Sequence, residues 1–384
     1  MSQIKIPILD LKPQYESIKE EIRVAIDTVL ESGQFIIGPA VQKFEASAAE
    51  YLGAKYAIGV NSGTDALVIG LRAMDIGFGD EVITTPFSFF ATAESISNVG
   101  AKPVFVDVQE SSFNLDPLLI EAAITPRTKA IMPVHLYGNP CSMGQIMEIA
   151  DKYGLKVIED CAQAFGATYH GNCLEVSGTT LQGKRVGTIG EVGAFSFFPT
   201  KNLGAYGDGG LVVTDDEQIA DLARMLRTHG SRKKYHNEML GYNSRLDALQ
   251  AAILQVKLGH IDRWNQQRRQ VADTYNQLLD GVGEVVTPEI SAGHVFHQYT
   301  VRVLNGKRDL VQQYLTEAEI GTMVYYPVPQ DRLPIYAGQY EPNPVSDRLA
   351  MEVLSLPIWP ELGLNVIQAV VDVLNKETSS NHKN

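Results

Sequence analysis

The sequence predicts an α/β protein, with a large domain built on a mostly parallel sheet flanked by helices and a smaller C-terminal α+β domain. Three observations predict it. Short β-branched runs alternate with amphipathic stretches through the first two thirds of the chain, turn-forming residues sit at the joins, and near residue 250 the rhythm gives way to one long helical stretch and a mixed tail. Parallel strands need crossover connections, and helices covering both sheet faces give this alternation. The expected division is residues 1–250 for the large domain and 251–384 for the small one.

Taken in order, residues 56–60, 81–84, 103–106, 130–134, 156–158 and 211–214 read as strands, being short, apolar and bounded by turn formers. Residues 66–74, 91–99 and 145–153 carry apolar side chains at helical spacing. Residues 170–183 are rich in Gly, Ser, Thr and Asn and read as an exposed loop or small hairpin. A long helix is expected from 244 through 258 and on to 278. A strand at 294–303, a helix at 308–318, a strand at 322–326 and a closing helix at 365–374 follow, with a polar, frayed end from 378. Ligands of such sheets collect at the carboxyl ends of the strands.

With 384 residues, 45% of them hydrophobic and 20% charged, the composition is that of a soluble globular protein. A net charge of -13 argues against nucleic acid or an anionic membrane as partner of the whole surface. It leaves room for a local anion site, for which Arg232-Lys233-Lys234 and Arg245 are candidates. No segment has the apolar length of a membrane span, and the start lacks the apolar core of a signal peptide, so a cytoplasmic location is expected. Cys141, Cys161 and Cys173 show neither a C-x-x-C pair nor zinc spacing, and reduced thiols are expected, with Cys161 packing as a small hydrophobe. The histidines, His135 and His229 among them, lack metal spacing and read as structural; no metal is expected.

Several segments could carry chemistry. Lys201 stands in Ser196-Phe-Phe-Pro-Thr-Lys201-Asn-Leu-Gly, between aromatics and a glycine cluster. It reads equally as a desolvated, nucleophilic amine or as a surface lysine lying over a turn. Asn61-Ser62-Gly63-Thr64-Asp65 follows a strand and opens a helix, which suits a phosphate as well as an ordinary N-cap. Glu159-Asp160 ends a buried-type strand; a carboxylate there needs a partner, either a protonated ring nitrogen or a structural cation. In Pro86-Phe87-Ser88-Phe89-Phe90 one aromatic can stack on a flat ligand, all three fit a core equally, and for two of them core is the favoured reading. Asn243 and Arg245 open the long helix and fit anion contacts or capping. There is no G-x-S-x-G elbow, no Walker loop and no dinucleotide fingerprint. Together the parts are a lysine for an imine, a carboxylate for a pyridinium nitrogen, an aromatic for a ring face and a phosphate cradle. That is the set pyridoxal phosphate requires.

The chain resembles the DegT/DnrJ/EryC1/StrS sugar aminotransferases, which have the aspartate-aminotransferase (type I) fold of pyridoxal-phosphate-dependent transferases. Ser-Gly-Thr-Asp-Ala-Leu, Glu-Asp-Cys-Ala-Gln, Phe-Ser-Phe-Phe-Pro-Thr-Lys-Asn-Leu-Gly and Asn-Ser-Arg-Leu-Asp-Ala-Leu-Gln-Ala-Ala occur in family order, and the likeness runs from about Pro7 to Leu374. The resemblance implies pyridoxal 5'-phosphate held as a Schiff base on Lys201, with pyridoxamine phosphate as the amine-loaded form. It places Asp160 at the pyridine nitrogen, Gln163 near the phenolic oxygen, Phe89 on the ring face, and Gly63, Thr64 and Ser196 at the phosphate. Asn243 is implied to reach the phosphate in the other subunit of a homodimer with shared sites, with Arg245 and Tyr326 facing substrate. The implied reaction moves an amino group from an amino acid, L-glutamate above all, to a keto carbon of a nucleotide-linked sugar. The segments 227–237 and 264–268 look most like members acting on 3-keto hexoses.

Two departures stand out. Where relatives tend to have Pro-Leu-His, this chain has Pro329-Gln330-Asp331, so the usual histidine contact to the sugar nucleotide is in doubt. The 170–183 interval looks like an insertion, read first as an inert surface loop and second as a wall of the pocket mouth. The competing readings are a non-catalytic regulatory member, a sugar dehydratase and a nicotinamide oxidoreductase. Retention of Lys201, Asp160 and Gln163 opposes the first. In the dehydratases histidine replaces the lysine, and the absent fingerprint opposes the third.

Overall fold

The computed structural model describes residues 5–171, 175–176 and 178–379. It opens with two helices that the strand-and-helix rhythm does not announce, α1 (Lys12–Ser32) and α2 (Pro39–Leu52). Both carry a proline at one of the first two helical positions and end at a glycine in the left-handed region, Gly33 at φ 64° and Gly53 at φ 79°. Then come β1 (Tyr56–Val60), α3 (Gly63–Ala73), β2 (Glu81–Thr84), α4 (Ala91–Asn98), β3 (Lys102–Phe105), α5 (Pro117–Ala123), β4 (Thr128–Met132), α6 (Met143–Tyr153) and β5 (Lys156–Asp160). A two-strand hairpin, β6 (Glu175–Val176) with β7 (Thr179–Thr180), lies inside the 170–183 interval, as one of its two readings expected. Cys173 falls outside the described residues.

The sheet is completed by β8 (Val192–Ser196), which the sequence reading missed, and β9 (Gly210–Thr214). Its seven strands run β1-β9-β8-β5-β4-β2-β3, and β9 alone lies antiparallel to its neighbours. Helix α7 (Glu217–Leu226) and a small hairpin, β10 (Ser231–Lys233) with β11 (His236–Asn237), precede the long helical stretch. That stretch is two helices, α8 (Ala248–Leu258) and α9 (Ile261–Leu279), because the chain turns at Gly259-His260. Its start is at Ala248, not 244: Asp247 caps the helix through Gln250 N–H, leaving Asn243 and Arg245 in the approach to it.

The C-terminal part forms a three-stranded antiparallel sheet of β12 (Val285–Val286), β13 (Tyr299–Val303) and β14 (Val353–Leu356). Helices α10 (Arg308–Glu317), α11 (Pro344–Glu352) and α12 (Leu364–Ser379) complete it. The strand expected at 322–326 does not form; only Met323 bridges, to Ser355, and the chain then leaves the sheet edge to deliver Tyr325 and Tyr326 to the cleft. Likewise the strand expected from 294 begins at Tyr299, the preceding residues turning toward the large sheet.

Ile18, Ile22, Phe44, Phe197, Leu246 and Trp264 pack α1, α2, α8 and the start of α9 onto one face of the sheet. A separate core of Val271, Tyr275, Tyr299, Val301, Leu315 and Val371 fills the C-terminal part, so α9 contributes to both. Among the described residues no helix is long and apolar enough to cross a membrane.

One ion pair ties three layers together. Arg227 Nη1 contacts Glu45 Oε1 at 2.5 Å and donates to the Gly59 carbonyl at 2.8 Å, while Gly59 N–H donates to Glu45 at 2.7 Å. Glu45→Ala therefore strands a buried guanidinium and is expected to cost about 3 kcal/mol. Chemical denaturation checks this; a midpoint equal to wild type would show that the pair is dispensable.

Candidate active site

The carboxyl ends of β2, β4, β5 and β8 and the start of α3 face one cleft of about 420 Å³. Gly63, Thr64, Phe89, Asp160, Gln163, Ser196, Lys201 and Tyr326 all line it. Asn243 and Arg245 do not: Asn243 is exposed, and its side-chain oxygen accepts from Arg245 Nη2 outside the cleft. A wider surface hollow of about 510 Å³ near His170 holds no lysine and no buried carboxylate.

Asp160 is 5% exposed. Its two oxygens accept from Thr92 Oγ at 2.9 Å and from Ala162 N–H at 3.1 Å. Burial pushes its pKa up, against those hydrogen bonds and the positive charge of Lys201. An anion so placed is stabilised by a cation arriving in the cleft. Beside it on β5, Glu159 points to the opposite side, as strand neighbours must. It accepts from the N–H groups of Ile189 and Gly190 at 2.8 Å each, from Gly187 N–H at 2.8 Å, and from His135 Nε2 at 3.0 Å. Because His135 Nδ1 accepts from Cys141 N–H at 3.0 Å, the imidazole proton sits on Nε2. His135, Glu159 and Cys161 lie close enough to suggest a metal set, but the histidine and carboxylate donors are already committed.

Lys201 is the amine of the site. Burial lowers its pKa from 10.5 to about 8, opposed by the charge of Asp160. Its loop is held from several sides. The Gly204 carbonyl accepts from Lys257 Nζ at 2.5 Å, Tyr206 N–H donates to Gln250 at 2.8 Å, and the Asn202 amide donates to Asn265 at 2.8 Å. Lys257 is itself buried under Tyr206, its ammonium 4.8 Å from the ring centre, and burial lowers its pKa to about 8.

The start of α3 presses against the end of β8. A Cβ on Gly63 would lie 2.6 Å from Ser196 Cβ, so only glycine permits the approach. Ser62 caps the helix by accepting from Asp65 N–H at 3.1 Å, leaving the first-turn N–H groups of Gly63 and Thr64 directed at the cleft beside the Ser196 hydroxyl. The N-cap reading of this segment therefore holds, and the N–H groups the cap leaves free suit an anion.

The three aromatics after β2 divide as expected. Phe87 is fully buried, Phe90 packs on Tyr336, and Phe89 is 60% exposed with its ring 6.3 Å from that of Tyr326. Gln163 is fixed at both ends, accepting from Tyr137 N–H at 2.6 Å and donating to Tyr326 Oη at 2.9 Å. Gln330 and Asp331 are buried under this loop, Gln330 N–H donating to the Pro86 carbonyl at 2.8 Å and Asp331 accepting from Asn343 at 3.1 Å. Neither lines the cleft, so their place is structural.

Thr92, Asp208, His297 and Tyr325 line the cleft unannounced by the sequence reading. Thr92 could have been found, since it follows the aromatic cluster by one helical step. His297 comes from residues distant in sequence and carries no local signal.

A half-buried, desolvated lysine and a buried aspartate at the carboxyl edge of a mostly parallel sheet, beside a helix start with free N–H groups, fit an aminotransferase of the type I architecture. The chain belongs to the DegT/DnrJ/EryC1/StrS aminotransferase family, whose profile it matches over residues 16–375. It is 51% identical over 376 residues to a "Pleiotropic regulatory protein" of Geobacillus stearothermophilus, covering 96% of this chain and 97% of the relative. It is 45% identical to the UDP-N-acetyl-3-dehydro-alpha-D-glucosamine 3-aminotransferase of Acidithiobacillus ferrooxidans, covering 97% of each chain. Among solved structures, Streptomyces venezuelae DesV, in complex with a ketimine intermediate, superposes with a TM-score of 0.92 at 44% identity, over 98% of this chain and 99% of that one. NtdA from Bacillus subtilis, with bound cofactor PMP, superposes at 0.86 and 33% identity, over 96% and 84% of the two chains.

The two depressed lysines give a pH prediction. Between about 8 and 10.5 the unfolded chain holds protons that the folded chain has shed, so their contribution to stability rises with pH across that window. Lys257→Met should flatten the rise, which denaturation midpoints at pH 8 and pH 10 would show. An equal slope in variant and wild type would mean that Lys257 titrates as an ordinary surface lysine.

Proposed function

We propose that this chain is a pyridoxal-phosphate-dependent aminotransferase that moves an amino group from L-glutamate to the keto carbon of a nucleotide-linked hexose, with C3 as the acceptor position. The observation that carries the reading is the pairing of a desolvated Lys201 with a buried Asp160 across one cleft. The acceptor class is supported by the relative named for a 3-dehydro sugar nucleotide, 45% identical over nearly full length.

The residues fit the cofactor. The cradle of Gly63, Thr64 and Ser196 suits its phosphate, and the buried Asp160 carboxylate suits a protonated ring nitrogen. Phe89 offers a ring face, Gln163 lies at hydrogen-bonding distance of the same space, and Lys201 supplies the amine. When bound, pyridoxal phosphate supplies an electron sink for the carbon that loses its proton. The chain's own residues then have defined tasks. Asp160 would keep the ring nitrogen protonated, and the α3 N–H groups would hold the phosphate. Lys201 Nζ, uncharged for part of the time near neutral pH, would move the proton at the donor's α-carbon in the first half of the exchange and the proton at the acceptor's carbon in the second. Tyr326, steadied by Gln163, borders the space left for substrate.

Two further parts belong to the same reading. Asn243 and Arg245, outside the cleft of their own subunit, reach the cleft of a second copy, making a homodimer with shared sites. The enzyme acts in the cytoplasm, where nucleotide sugars are made. A regulatory role is the second reading, favoured by the name of the relative at 51% identity. An intact lysine, aspartate and phosphate cradle weigh against it.

The protein mixed with pyridoxal phosphate should turn yellow, and borohydride should fix the cofactor to the Lys201 peptide, identified by mass spectrometry. Lys201→Ala should bind the cofactor without that linkage and lose at least about 10²-fold in transfer to a 3-keto nucleotide hexose. A colourless wild type, or Lys201→Ala with an unchanged rate, would sink the proposal.

A further inference from the structure

His297 has no part in the reading above, yet it is among the most firmly specified groups of the cleft. The Asn202 amide nitrogen donates to Asn265 Oδ1 at 2.8 Å and to the Val295 carbonyl at 3.0 Å, committing both of its hydrogens. The Asn202 oxygen faces His297 Nδ1 at 3.1 Å and can only accept. The imidazole proton therefore sits on Nδ1, and Nε2 carries a bare lone pair. This is the opposite tautomer to that of His135. The backbone is pinned as well: His297 N–H donates to the Tyr137 carbonyl at 2.8 Å, and its own carbonyl accepts from Arg268 at 3.3 Å.

The ring is 7% exposed and lines the cleft together with Lys201 and Asp160. Since Nδ1 is turned to Asn202, Nε2 is the one ring nitrogen that the cleft can use. Burial first, then the charges of Lys201 and Arg268, hold the imidazole far below its usual pKa, so it stays neutral. The other titratable groups lining the cleft are Asp160, Asp208, Tyr325 and Tyr326.

We propose that His297 is a positioning residue for Lys201: Asn202 fixes its tautomer, and its bare Nε2 accepts a hydrogen bond from the Lys201 amine. Asn202 is the residue next to Lys201, so one short segment sets both the amine and the ring that receives it. An N–H donated to Nε2 turns the nitrogen lone pair away from His297 and toward the centre of the cleft. The proposal rests on Lys201 being the reactive amine, but not on the identity of the acceptor sugar.

Two isosteres separate this role from a structural one. The amide of asparagine can stand in for Nδ1–H, and that of glutamine can reach the place of Nε2. His297→Asn thus keeps the bond to Asn202 and loses the cleft acceptor, whereas His297→Gln restores the acceptor. Lys201 in the full-length protein is labelled with trinitrobenzenesulfonate across a range of pH, before cofactor is added, and quantified by mass spectrometry. Loss of an acceptor that favours the ammonium should move the labelling midpoint in His297→Asn below that measured for wild type, by about one pH unit. His297→Gln should return close to wild type. A His297→Asn profile that coincides with wild type overturns the proposal, as does a His297→Gln profile no nearer to wild type than that of His297→Asn.

The wild-type protein gives a second test that needs no variant to fold. Histidine nitrogen NMR should report Nδ1–H and an unprotonated Nε2 for His297; the opposite tautomer overturns the proposal. Neither measurement uses transamination, so failure here leaves the aminotransferase reading standing, and failure of that reading leaves these results interpretable.

Discussion

The anchoring of Glu159 is the interaction on which the cleft depends. A fully buried carboxylate is tolerable only when its lone pairs are filled, and three backbone N–H groups and the His135 ring fill them. Those N–H groups belong to the loop that leads into β8, so Glu159 ties β5 to its neighbour behind the sheet. Successive side chains on a strand point to opposite faces, and fixing Glu159 on one side fixes Asp160 on the other. The pair divides its labour by environment: Glu159 is saturated by protein donors, whereas Asp160 keeps charge in reserve for a cation in the cleft.

Close backbone approach does the rest. Gly63 lets α3 touch β8 at Ser196, and Gly70, two turns later, lets the same helix lie on Ile158 and Val192 of the sheet. A Cβ at Gly70 would sit 2.9 Å from a methyl of each. The helix start is thereby held over the strand ends, where its dipole and free N–H groups suit an anion. Lys201 arrives on a loop whose regular hydrogen bonding is poor, and its position is secured instead by Lys257 and Gln250 of α8 and by the bond from Asn202 to Asn265 of α9. The Lys201 amine is desolvated by the same packing that holds it.

Much of this was legible in the sequence, for physical reasons. The buried strands are short apolar runs between turn formers, and the cofactor-type residues sit in local motifs at the strand ends, where α/β sheets place ligands. Helices α1 and α2 escaped because they stand outside the alternation, although Ile18, Ile22 and the capping glycines signal them. The supposed strand at 322–326 has the right composition, but tertiary demand for two tyrosines at the cleft overrode it. Strand β8 is small and glycine-interrupted, so it lacks a distinct alternation. His297, Thr92 and the Gln330 anchor owe their places to contacts between residues far apart in sequence, which no local pattern records. The place of Asn243 and Arg245 beyond their own cleft is a property of the folded surface.

On the proposed function, this cleft carries an amine from an amino acid to a sugar carbon by way of Lys201. The most direct test loads the cofactor-bound protein with ¹⁵N-labelled L-glutamate, removes the free amino acid and then adds a 3-keto nucleotide hexose. One 2-oxoglutarate should be released per site, and the heavy nitrogen should appear on C3 of the sugar nucleotide. Loading without any transfer of label to the sugar would contradict it.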